Sequence, residues 1–490
     1  MQYILEFVRG SVSFFLGHIL FFNLVFAVII VFFERKNPKS VWAWLLLLFF
    51  IPVAGFVFYL LAGTNLHKRK LFRCKEVQDA VHETVRVQEQ VLKTADTEKL
   101  EEPINSYADL MLYNMKAADA FLTVDNDIDI YTDGNLLFEN MLKDIEQASS
   151  FVHMQFYIIR EDVLFEQFVK VLEKKVAQGV EVRILFDAMG CRSVKQKFWK
   201  RLREAGIETA EFFPAFFRRF HFRMNYRNHR KIVVIDNKVA YIGGFNIGRE
   251  YVGLDEKFGY WRDTHLRIIG GSVWNLQFRF LLDWNYAAGQ NLLENNRYYD
   301  SVIKGEHDYC KVQIIAGGPD KKEPIIRNNY LRLIHKAKKS IYIQTPYFIP
   351  DEAILDSLIL ALHSGIEVSV MIPCKPDHMF VYWATYSYIG DLVMAGAKCY
   401  TYDNGFMHAK GMIVDGQVFC YGTANMDIRS FLLNFEVNAV VYDVRKAEEM
   451  EEHFRQDIPV STRITKDDYV ARSLKIRVKE QICRLLSPLL

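Results

Sequence analysis

Two stretches of this chain, HRKIVVID (229–236) and HAKGMIVD (408–415), carry a histidine, a lysine and an aspartate at the same spacing. The agreement continues downstream, where Gly243 matches Gly422 and Asn246 matches Asn425. Every one of these pairs is separated by the same 179 residues that part His229 from His408. A register kept over five positions marks a duplicated unit, and duplication restricts the fold more tightly than composition does. Upstream the likeness persists at a changed spacing: AQGVEVRILFD (177–187) resembles HSGIEVSVMIP (363–373), and SFVHMQFYI resembles SIYIQTPYFI. Each half alternates helix-like segments with short runs rich in Val, Ile and Tyr, the pattern of an α/β sheet with helices on its faces. The expected fold class is α/β, with two tandem domains related by pseudo-twofold symmetry at 104–300 and 301–490. Loops of unequal length explain why the offset changes away from the motif.

The first seventy residues have another character. Residues 11–33 and 41–63 carry no Lys, Arg, Asp or Glu. As a helix each would reach about 35 Å, enough for a hydrocarbon core of about 30 Å. Two apolar spans in succession also argue against a cleaved signal peptide. The expectation is a two-helix transmembrane hairpin within 1–75, with Pro52 placed to kink the second span. Arg9, Lys68, Arg69, Lys70, Arg73 and Lys75 outnumber Arg35, Lys36 and Lys39 of the short loop, which predicts both ends on the cytoplasmic side. Residues 76–103 read as a charged helical connector. The seven cysteines are odd in number and scattered without a CxxC pair, which opposes a disulfide framework or zinc cluster and suits a reducing compartment.

In HRKIVVID the run IVVI reads as a buried strand, and His229 and Lys231, two apart, are expected on one face of it. An imidazole beside an ammonium suits phosphate chemistry: the lysine holds non-bridging oxygens, and the histidine attacks phosphorus or carries a proton. Two copies allow one histidine to attack while the other protonates the leaving alcohol, with Lys231 and Lys410 flanking the charge. Asn246 and Asn425 could donate to the same oxygens. A histidine nucleophile needs a partner that fixes its tautomer, and Asp263 and Glu436, at similar distances after their histidines, are assigned that role. No metal is expected, because a lysine at each histidine would repel a divalent ion. No GxxxxGK loop occurs, so nucleotide hydrolysis has no support.

The paired HxKxxxxD motif resembles the phospholipase D superfamily. Together with NPKSVWAWLL, TPYFIPDE, KPDHMFVYWATYSYIGDLVMAGAKCYTYDNGFMHAK and the ending CRLLSPLL, it resembles the bacterial cardiolipin synthases over nearly the whole chain. The resemblance implies two phospholipase D-like domains around one active site, a phosphohistidine intermediate and no cofactor. It implies His229 as nucleophile and His408 as general acid, the commoner order in two-motif relatives, with the reverse order the alternative here. Lys231, Lys410, Asn246 and Asn425 would bind phosphate, and Asp236 and Asp415 would hold the motif strands. The implied reaction transfers a phosphatidyl group between two phosphatidylglycerol molecules, giving cardiolipin and glycerol at a bacterial inner membrane, with the catalytic domains on the cytoplasmic side. One departure is Cys191 in DAMGCR, where the family pattern would carry a serine.

The stretch FFPAFFRRFHFRMNYRNHRK (212–231) interleaves basic and aromatic residues. A core-packed loop with a solvated basic face could look like this. Beside a catalytic histidine in an anchored chain, the favoured reading is a membrane-interface segment: Phe216, Phe217, Phe220 and Phe222 enter the acyl region, and Arg218, Arg219 and Arg223 meet lipid phosphates. Another membrane-bound phospholipase D-type phosphodiesterase, a phospholipid hydrolase or a nuclease, is the competing function, and the near-neutral net charge of +2 disfavours the nuclease.

Overall fold

The computed structural model describes residues 18–19, 21–32, 38–59, 88, 103–213, 226–299, 303–321 and 323–487. The ends of both expected spans, nearly all of the connector 76–103, and the basic-aromatic residues 214–225 with Phe216 to Arg223 lie outside the described residues. The chain divides into two compact units: a small one that holds the helices before residue 60, and a large one from Leu71 on that holds the strands.

In the small unit, helical residues 21–32 are followed by helices Pro38–Phe50 and Pro52–Phe58. The break falls at Pro52, whose missing N–H leaves the Leu48 carbonyl without its helical donor. The buried Asn23 side chain fills that place, donating to the Leu48 oxygen at 3.1 Å and to the Pro52 oxygen at 3.0 Å. Phe21, Leu24, Phe32, Trp42, Phe49 and Phe50 point outward. No helix among the described residues is long and apolar enough to cross a membrane.

The large unit is built from two sheets with one strand order. In the first half, Thr123–Asp133 pairs with Trp261–Ile269, then come Val239–Gly243, Ile232–Ile235, Phe151–Phe156, Glu181–Asp187 and Glu208–Phe212. In the second half, the same sequence of neighbours is Cys310–Gly317, Asn434–Tyr442, Val418–Gly422, Gly411–Val414, Ser340–Gln344, Glu367–Pro373 and Lys398–Tyr402. The last three strands of each sheet run parallel, and the runs FVHMQF and VMIP are buried throughout, as strands covered on both faces must be. The crossover helices begin and end alike. Asp162 caps Val163–Ala177 and Asp351 caps Glu352–His363; Gly179 and Gly365 follow them at φ 86°, a conformation that a side chain would strain.

The halves are joined at the outer strands, where Thr123 pairs with Val312 and Asn126 with Cys310. Helix Ile104–Ala118 packs in the core of the second half, where Asn114 donates to Gln313 and Asn329, both at 3.1 Å. Two further junctions position the site. The two-residue strand Arg227–Asn228 pairs in parallel with Asn434 and Phe435 of the other half, and Phe406–Met407 pairs in parallel with Trp261 and Arg262. Each motif histidine comes directly after one of these crossings.

Candidate active site

The HxK residues are not on a strand, contrary to the expectation from their spacing. They occupy the extended links between the crossing strands and the motif strands Ile232–Ile235 and Gly411–Val414. The reason is topological: each link takes the chain from pairing with the other half to pairing within its own sheet. The other half fixes the links themselves, since His229 N donates to Phe435 O at 2.9 Å and His408 N to Arg262 O at 2.7 Å. Each lysine then curls back on its own link, and Lys231 Nζ donates to the His229 oxygen at 2.7 Å. Lys410 makes the equivalent bond to His408 O.

Both histidines open onto one cavity of about 740 Å³, lined from both halves. Each is backed by a carboxylate from the opposite half. His229 Nδ1 lies 3.0 Å from Glu436 Oε2, and His408 Nδ1 lies 2.6 Å from Asp263 Oδ2. Both carboxylates are fully buried. Lys410 Nζ also lies 2.7 Å from His408 Nδ1, but one nitrogen cannot accept from lysine while donating to aspartate. The anionic partner decides the tautomer: Nδ1–H donates to Asp263, and Lys410 serves the carboxylate and the backbone oxygen. In both halves Nε2 is left for the cavity.

The two carboxylates are held differently. Glu436 accepts from Thr423 Oγ1 at 2.6 Å and from Asn434 Nδ2 at 3.2 Å. Asp263 accepts from Thr264 N at 2.8 Å and packs where Gly244 has no side chain; a Cβ there would sit 1.9 Å from Asp263 Oδ1.

Burial and crowding of like charge shape the titration. Burial lowers Lys231 to about 7 and Lys410 to about 8, although Glu436 and Asp263 respectively work against it. Burial and then Lys410 push His408 down to about 4. His229 is lowered too, by burial first, with Glu436 opposing. Burial raises the Asp263 carboxyl, yet Lys410 and His408 outweigh it and hold it at about 2. Two perturbed histidines that line the cavity, with a perturbed lysine two residues after each, are a strong indication of a site built for an anion.

Asn246 and Asn425 line the cavity as well. Asn246 Oδ1 accepts from Ile158 N at 3.0 Å, and its Nδ2 donates to the hydroxyl of Tyr251, another lining residue, at 3.3 Å. Asp236 and Asp415 lie away from the cavity, at the far ends of the motif strands, in left-handed conformations at φ 52° and 56°. Asp236 accepts from Ser149 N, Ser149 Oγ, Ser150 N and Phe151 N at 2.7–2.8 Å, and Asp415 from Lys338, Lys339 and Ser340 N at 2.7–2.9 Å. Each pins the turn that starts the neighbouring strand. Asp236→Ala should cost about 3 kcal/mol, read as a lower urea midpoint, because several bonds to a charged acceptor vanish together. An unchanged midpoint would show that the turn is held by other means.

Sequence reasoning passed over several lining residues. Tyr157 meets the His229 ring edge-on at 4.7 Å and lies under Lys231 Nζ. Trp261 packs against the His408 ring at 5.0 Å. Tyr157 and Tyr347 follow the equivalent strand-end residues Gln155 and Gln344 by two and three positions, so the repeat itself could have found them. Cys191, in place of the expected serine, is buried, and its sulfur accepts from Ile159 N at 3.2 Å.

Residues 141–258 and 330–458, one stretch around each motif, match the cardiolipin synthase, phospholipase D-like domain. The chain belongs to the cardiolipin synthase family. Residues 19–63 match the phospholipase D-nuclease N-terminal domain. Among curated relatives, the cardiolipin synthase of Oceanobacillus iheyensis is 46% identical over 98% of this chain and 100% of its own length. The major cardiolipin synthase of Bacillus subtilis is 46% identical over 96% of this chain and 97% of its own. Among solved structures, the phosphatidylserine synthase of Haemophilus influenzae aligns with a TM-score of 0.59 at 13% identity, covering 78% of this chain and 98% of that one, a likeness of fold.

Proposed function

We propose that the chain is a phosphatidyltransferase that makes cardiolipin and glycerol from two phosphatidylglycerol molecules. One observation carries the reading: two histidines, each with Nδ1 tied to a buried carboxylate, present Nε2 to a single cavity. In the first step His229 Nε2 bonds to the donor phosphorus. The bond from phosphorus to the glycerol oxygen breaks, and that oxygen takes a proton from His408 Nε2. In the second step His408 removes a proton from a glycerol hydroxyl of the acceptor lipid. That oxygen bonds to phosphorus and the phosphorus–nitrogen bond breaks. One phosphodiester bond is exchanged for another, so no external energy source is needed. Lys231 and Lys410, with the amides of Asn246 and Asn425, stabilise the equatorial oxygens. A phosphodiester anion between the lysines offsets the positive charge that depresses His408, so binding of substrate itself favours the protonated acid.

In this reading residues 1–75 form a two-span anchor (11–33 and 41–63), 76–103 a connector, and 104–300 and 301–490 the two catalytic domains on the cytoplasmic face of the inner membrane. The family match over 19–63 and the outward apolar side chains of the helices before residue 60 support the anchor. The stretch Phe216–Phe217–Arg218–Arg219–Phe220, with Phe222 and Arg223, would rest at the lipid interface. Purified protein in phosphatidylglycerol liposomes should release glycerol and cardiolipin in equal amounts without nucleotide. Phosphatidic acid as the sole lipid product would sink the reading.

A further inference from the structure

The duplicated halves would make a symmetric site if equivalent residues matched, but around the histidines they do not. At the motif's 179-residue register, Arg227 of the first half corresponds to Phe406 of the second, and Arg429 corresponds to Glu250. Glu250 and Arg429 both follow the motif asparagine at the start of a short helix, in Arg249–Val252 and Ile428–Leu432, and both line the cavity. On one side the site therefore carries two guanidinium groups, from opposite halves. On the other, Phe406 is buried against Phe258 and the His408 ring, Lys257 lies over Phe258, and the Glu250 carboxylate is ion-paired with Arg160 at 3.1 Å. Arg227 and Arg429 both line the cavity, and burial first, then Arg227, lower the Arg429 guanidinium. The acid beside them, Asp427, is itself pushed up to about 6 by burial and caps Ser430 N at 2.6 Å. Arginine suits the two-oxygen face of a phosphodiester, and two such groups, from opposite halves, line this cavity.

The proposed reaction needs such a place. Lys231 and Lys410 serve the phosphorus under attack, yet the acceptor brings a second phosphodiester one glycerol away, and both anions must fit the same cavity. We propose that Arg227 and Arg429 form a second phosphodiester subsite, which holds the phosphate of the acceptor lipid while its glycerol hydroxyl attacks. The inference rests on the transferase reading and adds a distinction to it. A donor needs one anion site, an anionic acceptor needs two, and water or free glycerol needs only the first.

The test compares two reactions of the full-length protein in phosphatidylglycerol liposomes: cardiolipin formation, and exchange of labelled free glycerol into phosphatidylglycerol. Exchange runs through the same histidines with an uncharged acceptor. In Arg227→Gln and Arg429→Gln the ratio of cardiolipin formation to glycerol exchange should fall tenfold or more. The Lys variants keep the charge without the fork, and their ratio should lie between Gln and the native protein. Because a ratio is read, partial misfolding cancels. An unchanged ratio overturns the subsite, whether both rates fall together or neither does. Absence of glycerol exchange in the native protein overturns the transferase reading instead.

Discussion

His229→Ala and His408→Ala should each lower the rate of cardiolipin formation by about 10³-fold or more, and the double variant should be little worse than either. The reason is that both rings act on one phosphorus. They line the same cavity, and each is positioned by a carboxylate from the opposite half, so neither half holds a complete site. Two independent sites would behave otherwise, with each single variant keeping about half the rate. The steps also differ in what they leave behind. With His229 as nucleophile, His408→Ala can still form a phosphohistidine slowly and lacks the base to discharge it, so an acid-labile phosphatidyl-protein should accumulate. His229→Ala should show none. The opposite pattern would exchange the two roles while leaving the shared site intact, whereas half-activity in both variants would remove it.

The motif could be read from sequence because its chemistry is written in residue identities kept in one register, from His229 to Asn246 and from His408 to Asn425. The α/β character followed from the same repeat, since helix-like segments alternate with buried runs such as FVHMQF and VMIP, which need cover on both faces; the strand order did not. What spacing could not reveal was the crossing. Asp263 and Glu436 sit at similar distances after their own histidines, yet Asp263 backs His408 and Glu436 backs His229. That exchange depends on the parallel pairing of Arg227–Asn228 with Asn434–Phe435 and of Phe406–Met407 with Trp261–Arg262, contacts remote in the chain. The place of helix Ile104–Ala118 was hidden for a similar reason: an amphipathic face says that a sheet covers it but not which one. The lysines looked like strand residues because a period of two also describes an extended link, and only the pairing partners tell the two apart.

Asp263→Asn should cost about 10⁴-fold in turnover and Glu436→Gln about 10²-fold, an inequality set by what surrounds each carboxylate. Glu436 accepts from Thr423, His229 and Asn434. A glutamine can keep its oxygen toward Thr423 and His229 if Asn434 turns its own side-chain oxygen, which has no hydrogen-bond partner among the described residues, toward the new amide. Geometry then survives and only charge is lost. Asp263 has no such relief. Its Oδ1 accepts from Thr264 N, its Oδ2 faces His408 Nδ1 and Lys410 Nζ, and Gly244 leaves no spare room. An asparagine must point its NH₂ either at Thr264 N, setting donor against donor, or at His408 Nδ1, which drives His408 to the wrong tautomer. The pH profiles separate positioning from mere packing. Glu436 raises the pKa of His229 and Asp263 raises that of His408, so each substitution lowers the pKa of its own histidine. The nucleophile must be neutral, so Glu436→Gln should move the acid limb of the rate profile to lower pH. The general acid must be protonated, so Asp263→Asn should move the alkaline limb to lower pH. Shifts of the opposite limbs would reassign nucleophile and acid. Rates that fall with both limbs fixed would show that the carboxylates support the fold and not the proton transfers.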